Sequence, residues 1–272
     1  NNTLHTLFTP QTINSKLFPI ICVLFQYCIM EYNNRNMRDV YRQAMQVSLQ
    51  LLCEITNPKI YQSNVKYDEF KFIKYILPYY TQLFNISDRV IRTKLLKSLK
   101  DILKVVATNP KAGDVINEYI NEKQKIETTL NISITVNNNP NTAMVSLSVA
   151  TADGSGCTST LQSNGILDNV LSGFNDSNAQ MREDTLKGIV PLLPYLTTTN
   201  LNDKLVGKYL VSMQQCESEA STRTNCIILI GKIAHLLTEG TRQKMLVPCL
   251  VKAIRDPFLH CRYVCVMCFV CV

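Results

Sequence analysis

Tryptophan is missing from the 272 residues altogether, glycine appears only 9 times and histidine 3 times. Sandwiches and barrels turn on glycine at many corners, so its scarcity disfavours an all-β fold and leans toward helices. His5, His235 and His260 are the only imidazoles, and neither two separate Cys-x-x-Cys pairs nor a His-Glu-x-x-His run occurs. Zinc sites and histidine-based catalysis therefore lack their usual residues. Long apolar runs are also scarce: the most apolar window, 17–30, holds 14 residues and is interrupted by Pro19 and Gln26. A membrane span needs about 20, so the expectation is a core helix and no span.

What is present is ordinary for a folded chain, with 46% apolar and 18% charged residues, a core of normal size and no basis for wholesale disorder. A net charge of +7 and an isoelectric point near 8.8 are mildly basic, compatible with an acidic partner but too weak alone to indicate nucleic acid. Eleven cysteines, an odd number, are scattered through apolar runs, as at Cys22, Cys28, Cys53 and Cys226. That pattern points to free buried thiols in a reducing compartment, with no disulfide scaffold. The chain opens at Asn1 and stops at Val272 inside an apolar helical pattern, so a piece of a longer protein is expected.

The strongest pattern is an internal repeat. Aligned on Arg38, Arg92, Arg182, Arg223 and Arg262, the chain places Tyr41, Leu95, Thr185, Cys226 and Cys265 three residues on, and Met45, Leu99, Ile189, Ile230 and Phe269 seven residues on. Eight residues before stand Met30, Phe84, Phe174, Gln215 and Ile254; six before, three registers carry Asp176, Glu217 and Asp256. A +3, +7, +10 apolar spacing is one stripe of an α-helix. The last two intervals between arginines, 41 and 39 residues, fall near the unit length of about 40–47 expected for HEAT-type helix pairs. The expected fold is all-α, a HEAT-type α-solenoid of stacked helix pairs, interrupted by one long disordered insertion.

In each unit a helix A should end near the −8 position and a helix B begin behind capping oxygens, at Ser87-Asp88, Asp176-Ser177, Ser218 and Asp256-Pro257. Thr199-Asn200 and Gly240-Thr241 read as caps between units. Pro78 and Pro248 both lie 14 residues before their arginine, which suggests a shared kink in helix A. The domain reading is helix pairs over 1–120, a low-complexity Asn/Thr/Ser-rich insertion over 121–162, and further helix pairs over 163–272. Alternation in 132–136 and 144–149 makes a hairpin the alternative to disorder in the insertion.

Residues 68–269 resemble the HEAT-repeat region of the Scyl family of N-terminal kinase-like pseudokinases. The carrying stretches are Leu83-Phe84-Asn85-Ile86-Ser87-Asp88-Arg89-Val90-Ile91-Arg92 and Gly173-Phe174-Asn175-Asp176 with Met181-Arg182-Glu183. The most specific are Arg223-Thr224-Asn225-Cys226, Leu229-Ile230-Gly231-Lys232-Ile233-Ala234, Thr241-Arg242-Gln243-Lys244 and Arg255-Asp256-Pro257-Phe258. The resemblance implies a catalytically dead kinase domain before the repeats. This chain has no Gly-rich phosphate loop, no His-Arg-Asp and no Asp-Phe-Gly, so that domain lies outside it. It also implies an adaptor in coatomer-coated vesicle traffic between Golgi and ER, cytoplasmic and peripheral at the Golgi, binding coat or trafficking proteins and compatible with a homodimer. An RNA-associated adaptor in tRNA export is the alternative it leaves open.

Among individual residues, Arg89, Lys97, Lys100 and Lys104 make one helix strongly basic, either a solvated face or a surface for an acidic partner. The five register arginines, Arg38, Arg92, Arg182, Arg223 and Arg262, are expected to pair with turn acids of neighbouring units and hold the stack in register. Cys261, Cys265, Cys268 and Cys271 follow a core stripe, where cysteine acts as a small hydrophobe. No catalytic constellation, cofactor site or metal site can be assigned.

Overall fold

In a computed structural model, the residues described are 9–31, 38–56, 72–107, 111–121 and 165–269, with the backbone of four strands between 124 and 163. Among the described residues five helix pairs follow one another. Helix α1 (Phe18–Glu31) and α2 (Arg38–Thr56) form the first; α3 (Leu77–Leu83) and α4 (Arg89–Ala107) the second. In the third, helix A is built from α5 (Ala112–Ile116), extended through a wide turn at Asn117–Asn121, and α6 (Ile166–Leu171); helix B is α7 (Ala179–Gly188). Then come α8 (Val211–Cys216) with α9 (Ala220–Ile233), and α10 (Val247–Ala253) with α11 (Leu259–Phe269). The B helices pack in sequence, α2 on α4, α4 on α7, α7 on α9 and α9 on α11. This is an all-helical repeat solenoid of the HEAT and armadillo kind.

The repeat register explains the core. All five +3 residues are buried, and Met45, Leu99, Ile189 and Ile230 at +7 are fully so. The −8 position is less regular: Phe84 and Phe174 are buried, but Met30 and Ile254 face outward. Neighbouring units are also joined through polar contacts. Asn169 Nδ2 donates to the Thr81 carbonyl at 3.4 Å, and the Thr238 amide donates to Asn202 Oδ1 at 3.2 Å. Inside the second pair, the Tyr80 hydroxyl donates to the Leu95 carbonyl at 2.8 Å and meets Ser98 Oγ at 2.8 Å. Burial drives the Tyr80 phenol far above its ordinary value, so it stays neutral.

Proline shapes helix A in a way the shared-kink expectation only half describes. Proline lacks an N–H, and its ring collides with the carbonyl four residues back. Here the turn ahead of it opens to π-type hydrogen bonding, at Phe72–Ile76 before Pro78 and at Arg242–Leu246 before Pro248. Pro19 follows the same rule behind Ile13–Leu17, a third instance. Proline is neither sufficient nor required: Pro191 and Pro194 follow α7 in a 3-10 segment with no wide turn, and Asn117–Asn121 and Asn200–Leu210 are π-type without proline. Because the wide turn carries the helix upstream of Pro19, the apolar helix runs over Ile13–Met30, 18 residues with a mean hydropathy of 1.5. That is long and apolar enough to cross a membrane, where 14 residues were expected. In this fold Phe18, Ile21, Cys22, Phe25 and Cys28 on it are core residues.

Between α5 and α6, where disorder was expected with a hairpin as alternative, the backbone forms two antiparallel ladders. Strand β1 (Gln124–Thr128) pairs with β4 (Ser159–Ser163), and β2 (Asn131–Val136) with β3 (Val145–Ala150), Ile132 facing Val149 across the register. The β2–β3 ladder falls on the two alternating stretches, 132–136 and 144–149, read as a hairpin alternative. Pairing of Gln124 with Ser163 brings its two ends side by side. Asn121, assigned to the insertion, is a solenoid residue: it donates to the Tyr195 carbonyl at 3.1 Å and accepts from Asn200 Nδ2 at 2.9 Å. Replacing residues 124–163 by a short Gly-Ser linker should therefore leave the melting temperature within a few degrees. A larger loss would show that the ladders stabilise the helices.

Candidate functional site

The candidate site is positioned by the turns between helices A and B. Four turn carboxylates do the same two jobs. Asp88, Asp176, Glu217 and Asp256 each accept the amide two residues further on, from Val90, Asn178, Glu219 and Phe258, at 2.8–3.0 Å. Each also takes a guanidinium from the helix B before it. Arg182 grips Glu217 through Nε at 2.6 Å and Nη2 at 2.8 Å; Arg223 grips Asp256 at 2.7 and 3.1 Å. Nη1 of Arg182, Arg223 and Arg262 donates to the carbonyl six residues back, in its own turn, at 2.7–2.9 Å.

The first two rungs use other arginines than the register predicts. Asp88 is held by Arg42 Nε at 2.6 Å, and Asp176 by Arg89 Nε at 3.0 Å. Arg92 instead donates to the Asn169 carbonyl at 3.0 Å and to Ser172 Oγ at 2.6 Å. Asp88 stands four residues before Arg92 where the other acids stand six before theirs, so the guanidinium one turn along α2 reaches it. Burial opposes ionisation of Glu217, but hydrogen bonds from Arg182 and the local amides outweigh it and hold the carboxyl below its ordinary value. Hydrogen bonding from Arg223 holds Asp256 down in the same way.

The caps also differ from expectation at four turns, one being Thr197 Oγ1, in place of Thr199, accepting the Asn200 amide at 3.3 Å. Asn178, not Asp176, accepts the first amides of α7; Ser218 gives no side-chain cap; and Thr238 caps the segment containing Gly240 and Thr241. Pro257 lies two residues ahead of α11, outside its first turn.

With the ladder occupying Arg89, the basic helix α4 divides. Lys94 turns toward α2 and donates to Gln46 Oε1 at 3.3 Å. Lys97, Lys100 and Lys104 lie three and four residues apart on one exposed stripe, opposite the buried Leu95, Leu99, Ile102 and Val106. They line a groove between α4 and α7, in two adjoining hollows of about 260 and 410 Å³. Lys187 on α7 forms the facing rim, a residue the sequence reading missed because it is 83 positions from Lys104. The floor is apolar, formed by Leu96, Leu103, Val190, Pro191, Pro194 and Tyr195. Nearby acids are engaged: Glu183 with Lys187, Asp101 with Lys104 at 3.7 Å, and Asp184 with Thr93 and Gln180 at 3.0 Å. Among the described residues Lys97 and Lys100 make no ion pair.

The cysteine stripe is packing. Cys261, Cys265 and Cys268 are buried, with Cys265 Sγ donating to the Leu250 carbonyl at 3.1 Å; Cys271 lies outside the described residues. Among the described residues no group of three metal-binding side chains converges. Burial raises Cys22 and Cys249 to about 12 and Cys28, Cys261 and Cys265 to about 11. Cys216 is exposed at the rim of a separate cavity of about 290 Å³. A disulfide reagent should thus label native protein at Cys216, and Cys216→Ser should remove one equivalent of the fast phase. Fast labelling of Cys265 before unfolding would contradict this packing.

No profile of a known protein family matches the chain. Over 94 residues, 35% of its length, it is 32% identical to the probable inactive serine/threonine-protein kinase scy1 of Dictyostelium discoideum. The likeness is to a Scyl-type pseudokinase. The aligned stretch spans 11% of that relative. The crystal structure of Cex1p superposes with a TM-score of 0.60 at 19% identity, over 94% of this chain and 36% of Cex1p. A designed armadillo repeat protein in complex with the peptide (KR)4 covers 91% of the chain and 81% of its own, at 12% identity and a TM-score of 0.48. The Scyl-type resemblance read from the repeat motifs thus has a curated counterpart, and the solenoid has one among solved structures.

Proposed function

We propose that this chain is the non-catalytic repeat scaffold of a pseudokinase-type adaptor acting in vesicle traffic between Golgi and ER. The observation that carries the scaffold reading is the ladder: each turn acid is fastened to the preceding helix B, so the B helices hold one fixed row of side chains over five units. Repeat stacks of this kind bind partners along such extended surfaces. The similarity to a probable inactive kinase supports a non-catalytic role, and traffic is what the Scyl-type resemblance of the repeat motifs implies.

The test is to express the full-length protein with and without this region in its own cells. Loss of juxtanuclear localisation and of Golgi-to-ER cargo return on deletion is the expected result. Normal localisation and return without the region would overturn the traffic reading, and phosphotransfer by the isolated chain would overturn the non-catalytic one. The lysine row also leaves RNA as a partner to be tested, through a steep fall of binding with salt.

A further inference from the structure

We propose that the groove between α4 and α7 binds an extended acidic peptide segment carrying one aromatic or large aliphatic side chain between its acids. The proposal rests on the scaffold reading and names its partner chemistry.

The groove differs from a merely solvated lysine face in three respects. Its cations stand on both rims, Lys97, Lys100 and Lys104 on α4 and Lys187 on α7, so an occupant between the helices is flanked by positive charge on two sides. Lys97 and Lys100 spend their charge on no carboxylate among the described residues, although Asp101, Glu183 and Asp184 are near. Beneath them lies an apolar floor whose larger hollow, about 410 Å³, falls at the small end of ligand-sized cavities, roughly 300–1,000 Å³. A groove that was only solvated would gain nothing from that floor.

The spacing selects the occupant. Lys97 and Lys104 are seven residues apart on α4, about 10 Å along the axis at about 1.5 Å per residue. In the polyproline II form the chain advances about 3.1 Å per residue with three residues per turn, so acids three residues apart fall on one face and meet both lysines, while an intervening side chain turns toward Leu103, Val190 and Pro194. Among the described residues Tyr195 is the only aromatic ring in the lining, too few for the successive stacking platforms of single-stranded nucleic acid. Peptide chemistry therefore fits better than RNA.

The test is fluorescence anisotropy on the whole chain with four labelled probes: a short peptide with glutamates flanking one phenylalanine, the same with glycine for phenylalanine, the same with glutamines for glutamates, and a short single-stranded RNA. Only the first should bind well. Lys97→Glu with Lys100→Glu should weaken it by about tenfold or more, as should either change to the peptide, whereas Lys208→Glu on another helix should leave it unchanged. Matched thermal melts establish that the double variant is folded, and Lys97→Gln with Lys100→Gln should give a smaller loss in the same direction. Equal binding to the charge-reversed protein, indifference to the phenylalanine, tighter binding of RNA, or no binding of any probe would each overturn the proposal. The cell-based deletion test is independent of this groove, so failure here leaves the scaffold reading to be judged by its own result.

Discussion

Arg223→Ala is expected to cost about 2–4 kcal/mol of unfolding free energy in urea denaturation. Arg223 and Asp256 are only 12% and 4% exposed at their side chains, and the guanidinium makes two bonds to the carboxylate and two to the carbonyls of Glu217 and Ser218. Alanine leaves Asp256 buried without its cation and two carbonyls short of a donor. Exposed ion pairs give only about 0–1 kcal/mol, so the burial decides the magnitude. Lysine should restore only part, because an ammonium lacks the planar fork that reaches both carboxylate oxygens. Lys208→Ala is the comparison: the side chain is exposed, with its ammonium 5.3 Å from the Tyr209 ring, and should cost under about 1 kcal/mol. Equal costs for the two substitutions would remove the ladder from the account of stability.

The same rung fixes a pH dependence. Asp256 and Glu217 are held below their ordinary values of 3.8 and 4.5 in the folded chain. A carboxyl depressed by folding contributes stability above its unfolded value, and that contribution is lost as pH falls through the folded value. Wild-type stability should thus decline below about pH 4, and the decline should be shallower in Arg223→Ala, where Asp256 is no longer held down. An identical acid slope in both proteins would contradict the assignment.

Gly188→Ala is the second substitution with a large expected effect, about 1–3 kcal/mol destabilising. A Cβ at Gly188 would come within 2.8 Å of Cβ and Cδ2 of Leu96, which is buried on α4 at the α4–α7 contact. Leu96 Cβ is tied to its backbone, so the helices must separate. Alanine otherwise favours a helix over glycine by about 1 kcal/mol, so a loss would mean that close packing outweighs propensity. Gly240→Ala supplies the contrast, since a Cβ there meets nothing within 4 Å, and should be neutral or stabilising. Pairing Gly188→Ala with Leu96→Gly should cost less than the sum of the two alone, because both 2.8 Å contacts are then removed. Strict additivity would show that the helices do not depend on this approach. Since Leu96 also floors the lysine groove, the single variant is expected to shift α4 against α7 and weaken peptide binding there.

Both results bear on how much could be read from residue order. The units, the helix-B stripe and the turn acids were legible because helical periodicity and stacking repeat in the sequence itself: every +3 residue is buried, and Asp176, Glu217 and Asp256 stand at one offset from their arginines. Pro78 and Pro248 were legible as perturbations of helix A and Pro19 was not, and the opening of the preceding turn is a backbone adjustment with no residue code, as Asn200–Leu210 illustrates. Capping was read to within two residues and then misassigned at Asn178 and Thr238, since several neighbouring oxygens compete for the same amides and small differences in turn geometry choose between them.

What the tertiary structure alone decided is which groups meet across units. Arg42 and Arg89 take the first two rungs in place of Arg38 and Arg92, because distance across the stacked helices decides which guanidinium reaches a carboxylate. Lys187 joins Lys97, Lys100 and Lys104 across an insertion whose ends are brought together by the pairing of β1 with β4. The sequence by itself determined a helical repeat and the periodic faces of its helices, because those depend on residues within a turn or two of one another. The ladder partners and the lysine groove depend on distances between residues tens of positions apart, which only the packed solenoid sets.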